Sequence, residues 1–321
     1  MKKPFFSIVI PLKEPNDYLK EAVEHCLQLD YKDYEILVLP NQPAKIKGVR
    51  VVPTYTKILP AEKRDIALRH AKGDVLAFLD DDAFPRKDWL KNAAKYFSDS
   101  DVAAIGGPAL TPPSDSLFQK AGGYVLGSRM GGGSYTYRYL PEEKREVDDY
   151  PTVNLFVRKS VFKKIGGFDT KYWPGEDTKL CLDIVGLGKK IVYAPDVVVY
   201  HHRRPLFIPH LKQIGDYGLH RGFFAKKFPK TSFRFSYFLP SLFLLGLVAG
   251  PFLSLLCPFL WLPYAAVVLI YSLAALFYAV LSGVQENSFS ITPLVFLGII
   301  LTHLVYGFGF LKGLASSDLK R

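Results

Sequence analysis

A chain of 321 residues with a formal net charge of +11, 49% hydrophobic and 22% charged, is long enough for two domains and too apolar to be disordered. Its three cysteines, Cys26, Cys181 and Cys257, are odd in number and lack metal-site spacing, which excludes a disulfide scaffold or a zinc ribbon. The excess charge concentrates in residues 201–237, where eight basic residues stand against Asp216 alone; beside an apolar tail, such a collar points to anionic lipid headgroups and not to nucleic acid.

Met1-Lys2-Lys3 is basic, but the apolar run behind it stops at Lys13-Glu14, so no cleavable signal peptide is expected. Phe5 to Pro11 reads as a first buried strand. Asn16 or Asp17 can cap a helix that places Leu19, Val23, Cys26 and Leu27 on one face. Tyr34 to Pro40 and Val49 to Val52 read as strands, and Ala61 to Ala71 as a helix. Val75 to Leu79 is five apolar residues in a row, the pattern of a strand buried on both faces of a parallel sheet. It runs into Asp80-Asp81-Asp82. Three adjacent carboxylates raise one another's pKa, which core packing does not favour. The carboxyl end of a parallel strand, however, is where a ligand crevice is expected. Strand alternation predicts Asp80 and Asp82 on one side and Asp81 on the other, and two oxygen donors together suit a hard divalent cation carrying a phosphorylated ligand. The competing reading is an acidic turn before a helix from Trp89 to Phe97, with Asp88 as its N-cap.

Val102 to Gly107 is a further strand, and the strand–helix alternation implies an open α/β sheet. Pro108 to Tyr150 is less regular, and Gly122-Gly123 and Gly131-Gly132-Gly133 read as surface loops. Thr152 to Val157 is a strand, followed by a short helix from Ser160 that ends at Gly166-Gly167-Phe168-Asp169. Trp173-Pro174-Gly175-Glu176-Asp177 then precedes an apolar helix. Its dipole alone would favour acidic residues in the first turn, so helix-end charge competes with function there. Ile191 to Tyr193 and Val197 to Tyr200 lead into His201-His202-Arg203-Arg204, either a metal ligand with a phosphate contact or polar surface.

Ser7-Ile8-Val9-Ile10-Pro11, Arg64-Asp65-Ile66-Ala67, Leu79 to Pro85 with Asp88-Trp89-Leu90, Gly166 to Asp169, Gly175-Glu176-Asp177 and His201-His202-Arg203 occur in that order. Over about residues 5–205 the chain therefore resembles the family 2 glycosyltransferases, inverting enzymes of the GT-A fold. The resemblance implies sugar transfer from a nucleotide diphosphate donor with Mg²⁺ or Mn²⁺. It places Asp80 at the ribose, Asp82 and His201 at the metal, and Arg203 at phosphate. Pro11, Leu12, Glu14, Asn41, Arg64 and Asp81 complete the nucleotide side. Asp177 is the implied general base, with Asn154, Trp173 and Glu176 toward acceptor or sugar. Two departures stand out: Val38-Leu39-Pro40-Asn41-Gln42 lacks the acidic residue that commonly reads the base, and Asp65 replaces a frequent Asn.

Phe238 to Leu256, Pro263 to Leu281 and Ile291 to Leu311 are nearly free of charge and long enough to span a bilayer, although four prolines between 240 and 263 leave a buried helical core as the alternative. Phe207 to Tyr237 interleaves basic residues with Phe223, Phe224, Phe228, Phe233 and Phe235, as an interfacial segment does. Three full spans would put Lys312, Lys320 and Arg321 opposite the collar, against the positive-inside tendency, so one segment is expected to be re-entrant or interfacial, with Leu256 to Pro263 as the break.

The expected organisation is an α/β catalytic domain over 1–200, with a mostly parallel GT-A type sheet, a nucleotide-binding half (1–107) and an acceptor half (108–200). An interfacial segment over 201–237 and transmembrane helices over 238–312 follow. The expected function is a multi-pass membrane glycosyltransferase with a cytoplasmic catalytic domain, using a nucleotide diphosphate sugar and an acceptor linked to polyprenyl phosphate or diphosphate. Anionic lipid is the further expected partner. A processive polysaccharide synthase is the alternative enzyme, but the Gln-x-x-Arg-Trp string of those enzymes does not occur. A membrane-tethered nucleotide-sugar sensor is the non-enzyme alternative.

Overall fold

A computed structural model of the chain describes residues 3–173 and 175–319. Pro174, and the terminal Lys320 and Arg321 used in the topology argument, fall outside the described residues. In chain order the elements are β1 (Phe6–Pro11), α1 (Asp17–Cys26), β2 (Tyr34–Leu39), β3 (Arg50–Val51), α2 (Pro60–His70), β4 (Val75–Leu79), β5 (Ala83–Pro85), α3 (Trp89–Tyr96), β6 (Val102–Gly106) and β7 (Ala109–Leu110). There follow α4 (Leu117–Gly127), β8 (Arg145–Val147), β9 (Asn154–Arg158), α5 (Lys159–Ile165), α6 (Glu176–Gly186), β10 (Lys190–Tyr193) and β11 (Val199–His201). The last helices are α7 (Ile208–Lys227), α8 (Pro229–Ser232), α9 (Phe235–Leu256), α10 (Trp261–Gln285) and α11 (Ile291–Ala315). The chain divides into two compact units. One holds the residues up to Leu110 with Tyr137–His202, the other Thr111–Thr136 with the chain from Arg203 onward. Residues 111–136, expected in the catalytic domain, thus belong with the C-terminal helices.

In that second unit the expected loop at Gly122-Gly123 is the middle of α4. Ser116 caps the helix by accepting from the Gln119 N–H, and the Gln119 side chain accepts in return from the Ser116 N–H. Both glycines are buried, because a Cβ on Gly123 would collide with Thr111 and one on Gly122 would crowd the Arg204 carbonyl. Three helices are long and apolar enough to cross a membrane: Phe235–Leu256, Pro258–Gln285 and Ile291–Ala315. The break between the first two falls at Cys257, inside the expected interval. Of the expected interfacial phenylalanines, Phe233 and Phe235 are exposed, whereas Phe223 and Phe224 are buried within the unit.

The first unit is built on an eight-stranded sheet of order β3-β2-β1-β4-β9-β6-β10-β8. Strands β1 and β4 are buried on both faces, as their unbroken apolar runs require. Pairing is parallel from β3 through β2 and β1 to β4 and again between β6 and β10, but β9 runs antiparallel to both its neighbours. The order reverses between β1 and β4, so chain leaves the carboxyl ends of these adjacent strands in opposite directions and opens a crevice there. A second sheet, β5-β11-β7, pairs His201 opposite Ala83.

Asn154 opens β9 and links these parts. Its Nδ2 donates to the carbonyls of Gly107 at 2.7 Å and Val197 at 2.8 Å, and its Oδ1 accepts from Trp89 Nε1 at 2.9 Å. The residue is fully buried with both ends of its amide engaged, so Asn154 is a structural tie between these segments. Its removal strands buried polar groups, each costing about 1–3 kcal/mol. Asn154→Ala should therefore lower the melting temperature of the detergent-solubilised protein markedly; an unchanged melting curve would contradict the tie.

Candidate active site

The three carboxylates lie on a turn, not on the strand itself. β4 ends at Leu79, and the Ala83 N–H donates to the Asp80 carbonyl at 3.1 Å, so the chain reverses through Asp81 and Asp82. This turn separates the side chains in the sense that alternation predicted. Asp81 swings to Asn16, whose Nδ2 donates to Asp81 Oδ2 at 2.8 Å while its Oδ1 caps α1 at the Leu19 N–H. Burial raises the Asp81 pKa, and the Asn16 hydrogen bond opposes the rise. Asp82 faces β11, where His201 Nε2 stands 3.2 Å from Asp82 Oδ1. Among the described residues, Asp80, Asp82 and His201 each bring a ligand atom within 4.8 Å of the others. Two carboxylate oxygens and an imidazole form a donor set that fits Mn²⁺ and, through its oxygens, Mg²⁺. The neighbouring His202 has a different job, with its Nε2 2.8 Å from Glu21 Oε2 on α1.

Arg64 on α2 joins this turn to α6. Its guanidinium is almost wholly buried, donating to Asp80 Oδ1 at 2.7 Å and to Glu176 Oε1 at 3.4 Å. Glu176 is the first residue of α6. Burial, helped by the adjacent Asp177 charge and opposed by Arg64, pushes its pKa up to about 7. Asp177, the expected base, is half-buried in the same first turn, its Oδ1 accepting from the Thr178 N–H at 2.7 Å. The structure thus brings Asp80, Asp82, His201, Arg64 and the Glu176–Asp177 pair into one linked set.

The Gly166–Asp169 stretch is held by the residue next to Arg64. Asp65 Oδ1 accepts from the Phe168 N–H at 2.9 Å. Gly166 and Gly167 have φ of +94° and +92°, and a Cβ on Gly167 would collide with the Asp65 carboxylate. The Phe168 ring then packs on Phe78 and Phe162, with the Arg64 guanidinium 5.9 Å above it.

Pro11 ends β1, Leu12 is buried and Asn41 follows β2, all at the carboxyl ends of adjacent strands. Glu14 is exposed, 3.6 Å from Lys13. Sequence reasoning missed Lys63. This buried ammonium donates to the Leu12 carbonyl, to the Leu39 carbonyl at 3.2 Å and to Asn41 Oδ1 at 2.6 Å, fastening β1, β2 and Asn41 together. A lysine has only donors, so Asn41 must turn its oxygen toward Lys63 and its NH₂ away. The signal available was a Lys-Arg pair on a helix otherwise holding alanines toward the sheet. Trp173 is half-buried after a short turn at Thr170–Tyr172. Arg203 lies in the other unit, buried, with Nε donating to Thr111 Oγ1 at 3.2 Å.

The model of glycosyl transferase family 2 matches residues 7–166. The chain is 30% identical over 145 residues to the pre-mycofactocin glycosyltransferase of Mycobacterium tuberculosis, covering 45% of this chain but only 30% of that protein's length. It is 23% identical, over 98% of both chains, to the dolichyl N-acetyl-alpha-D-glucosaminyl phosphate 3-beta-D-2,3-diacetamido-2,3-dideoxy-beta-D-glucuronosyltransferase of Methanococcus voltae. Among solved structures, the mannosyltransferase PcManGT of Pyrobaculum calidifontis, in complex with GDP-Man and Mn²⁺, superposes with a TM-score of 0.56 at 19% identity, over 99% of this chain and 89% of that one. The chain belongs to glycosyl transferase family 2, and its sheet is of the GT-A type.

Asp65 offers a pH test of this geometry. Burial pushes its pKa from an ordinary 3.8 up to about 6, against the lowering effect of the Phe168 hydrogen bond. A folded-state pKa raised above the unfolded value contributes stability below pH 4 that is lost as pH rises through 6. Asp65→Asn keeps an acceptor for Phe168 and removes the buried charge. The variant should melt higher than the parent at pH 8, with the difference shrinking as pH falls from 6 toward 4. A lower melting temperature at pH 8 would show that the charge itself is needed.

Proposed function

We propose that the protein is a membrane-bound inverting glycosyltransferase, moving a sugar from a nucleotide diphosphate sugar to an acceptor hydroxyl on a polyprenyl-phosphate or polyprenyl-diphosphate-linked saccharide at the cytoplasmic face. The observation that carries this reading is the linked set at the β1/β4 crevice: Asp80, Asp82 and His201 on one side, Glu176–Asp177 on the other, with Arg64 between them. The Methanococcus relative, named for a dolichyl-phosphate-linked acceptor and alike over 98% of both chains, supports the acceptor class.

In this reading Pro11, Leu12, Glu14 and Asn41 border the nucleoside. Asn41 presents its NH₂, a donor, where an acidic residue presents an acceptor. Asp80 and Asp81 lie toward the ribose. Asp82, His201 and Asp80 would hold a Mg²⁺ or Mn²⁺ ion, which when bound would neutralise negative charge on the diphosphate. Asp177 takes the proton from the acceptor hydroxyl as its oxygen bonds to the anomeric carbon. The anomeric carbon–oxygen bond to phosphate breaks on the opposite face, and the nucleoside diphosphate leaves. One such displacement inverts the configuration without a covalent nucleophile. Arg64 keeps Asp80 and Glu176 fixed, and Trp173 offers an apolar face to a sugar ring. The lysines of residues 201–237 serve anionic lipid, at about 1 kcal/mol for each near the surface.

Two variants divide binding from chemistry. Asp82→Ala should abolish the enhancement that Mn²⁺ gives to UDP or GDP binding in calorimetry; an undiminished enhancement would remove Asp82 from the metal site. Asp177→Asn keeps size and polarity but cannot act as a base, so turnover should fall about 10²- to 10⁴-fold with donor affinity nearly unchanged. Were Asp177 only helix-end charge, the variant would lose about 0.3–1 kcal/mol of stability and keep its turnover.

A further inference from the structure

Two of the three cation donors ride on a strand pairing too short to hold itself. β5 and β11 have three residues each, and β7 adds only two more to their sheet. Pro85, opposite Val199, brings no N–H to the ladder. Asp82 immediately precedes β5 and His201 ends β11, and their ligand atoms stand 3.2 Å apart. That closeness needs support from outside the ladder.

Helix α1 supplies it. Its residues Leu19, Ala22, Val23 and Cys26 are buried and account for the helix's own place in the fold. Tyr18, Glu21 and His25, spaced i, i+3 and i+7, form a separate face. That face grips the segments that carry the donors. Glu21 Oε2 lies 2.8 Å from His202 Nε2, the Tyr18 ring lies 4.5 Å from the His202 ring, and the His25 ring lies 4.4 Å from that of Phe84 on β5. A carboxylate only accepts, so Nε2 of His202 carries the proton toward Glu21. The backbone of His202 completes the connection: its N–H donates to the Asp82 carbonyl at 3.0 Å, and the residue before it is His201. Stability does not account for the Glu21–His202 contact. The two side chains are 35% and 10% exposed, and a partly exposed pair of this kind adds little to folding.

We infer that Glu21 is a positioning residue of the cation site. Through His202 it holds the end of β11 against the acidic turn, so that Asp82 and His201 stay close enough to share one cation. Without Glu21 the His202 ring loses its tether and the short β11 frays from its end. A cation then meets His201 in only a fraction of the molecules, and its apparent affinity falls by that fraction. The inference rests on the reading of Asp80, Asp82 and His201 as cation donors.

The test titrates Mn²⁺ into the full-length, detergent-solubilised protein with UDP or GDP and follows the electron paramagnetic resonance signal of the free ion. Glu21→Ala should weaken Mn²⁺ binding about 10-fold and diminish the nitrogen coupling from His201, with the melting temperature little changed. Glu21→Gln keeps an oxygen that can accept from His202 and should recover most of the affinity. Parent-like Mn²⁺ affinity and nitrogen coupling in Glu21→Ala would overturn the inference. So would a Glu21→Gln protein weakened as much as Glu21→Ala, because the loss would then report the charge and not the hydrogen bond. A loss of affinity that comes only with a large fall in melting temperature would assign Glu21 to the fold and overturn it as well. A parent protein that binds Mn²⁺ without nitrogen coupling would overturn the cation reading itself, and the inference with it, before any variant is made.

Discussion

The first unit depends on one buried cation between two carboxylates. Arg64 is withdrawn from water to a side-chain exposure of 4%, a placement that is costly unless its charge is answered. Asp80 answers from the end of β4 and Glu176 from the start of α6, two elements nearly a hundred residues apart in the chain. Taking away one member of such a set typically costs about 3–5 kcal/mol, because the groups left behind stay buried and unpaired. The same interaction that holds α6 against the sheet therefore fixes the distance between a carboxylate suited to a cation and a carboxylate suited to a proton. The adjacent Asp65 extends the arrangement by holding the Gly166–Asp169 loop, whose Phe168 closes over the guanidinium.

Around that contact, charge is distributed by secondary structure. The reversal of strand order between β1 and β4 opens the crevice, the turn after β4 sorts Asp81 from Asp82, and the pairing of β11 with β5 delivers His201 to Asp82. Lys63 performs at the carboxyl ends of β1 and β2 what Arg64 performs between β4 and α6. It replaces water at three oxygens and orients Asn41 by leaving it no other way to turn.

Much of this was legible in the sequence. The apolar runs at Phe6–Pro11 and Val75–Leu79 could only be satisfied as buried strands, and Asn16 announced α1 by its chemistry as a cap. The acidic turn, the Glu176–Asp177 pair and His201 each had a competing structural reading when taken singly, and only their order along the chain drew them together; the structure brings them into one linked set. What was not legible depended on long-range contact. Helix α4 reads as a loop because glycine is a poor helix former in isolation, and only the close approach of Thr111 and Arg204 explains its two glycines. Its Ser116-x-x-Gln119 cap was present and overlooked. Asn154 looks like a polar residue at a strand end, and nothing local shows that three separate chain segments close around it. Trp89 to Phe97 was correctly read as a helix, but Asp88 spends its carboxylate on Arg86 and makes no side-chain cap.

The central claim is that Asp80, Asp82 and His201 hold a cation against the diphosphate of a nucleotide. Pulsed electron paramagnetic resonance of Mn²⁺ added to the full-length protein with UDP or GDP tests it most directly. The account predicts nitrogen hyperfine coupling from an imidazole, lost in His201→Ala, together with phosphorus coupling from the nucleotide in the same complex. A bound Mn²⁺ showing phosphorus coupling but no nitrogen, or the spectrum of the hydrated ion alone, would contradict it.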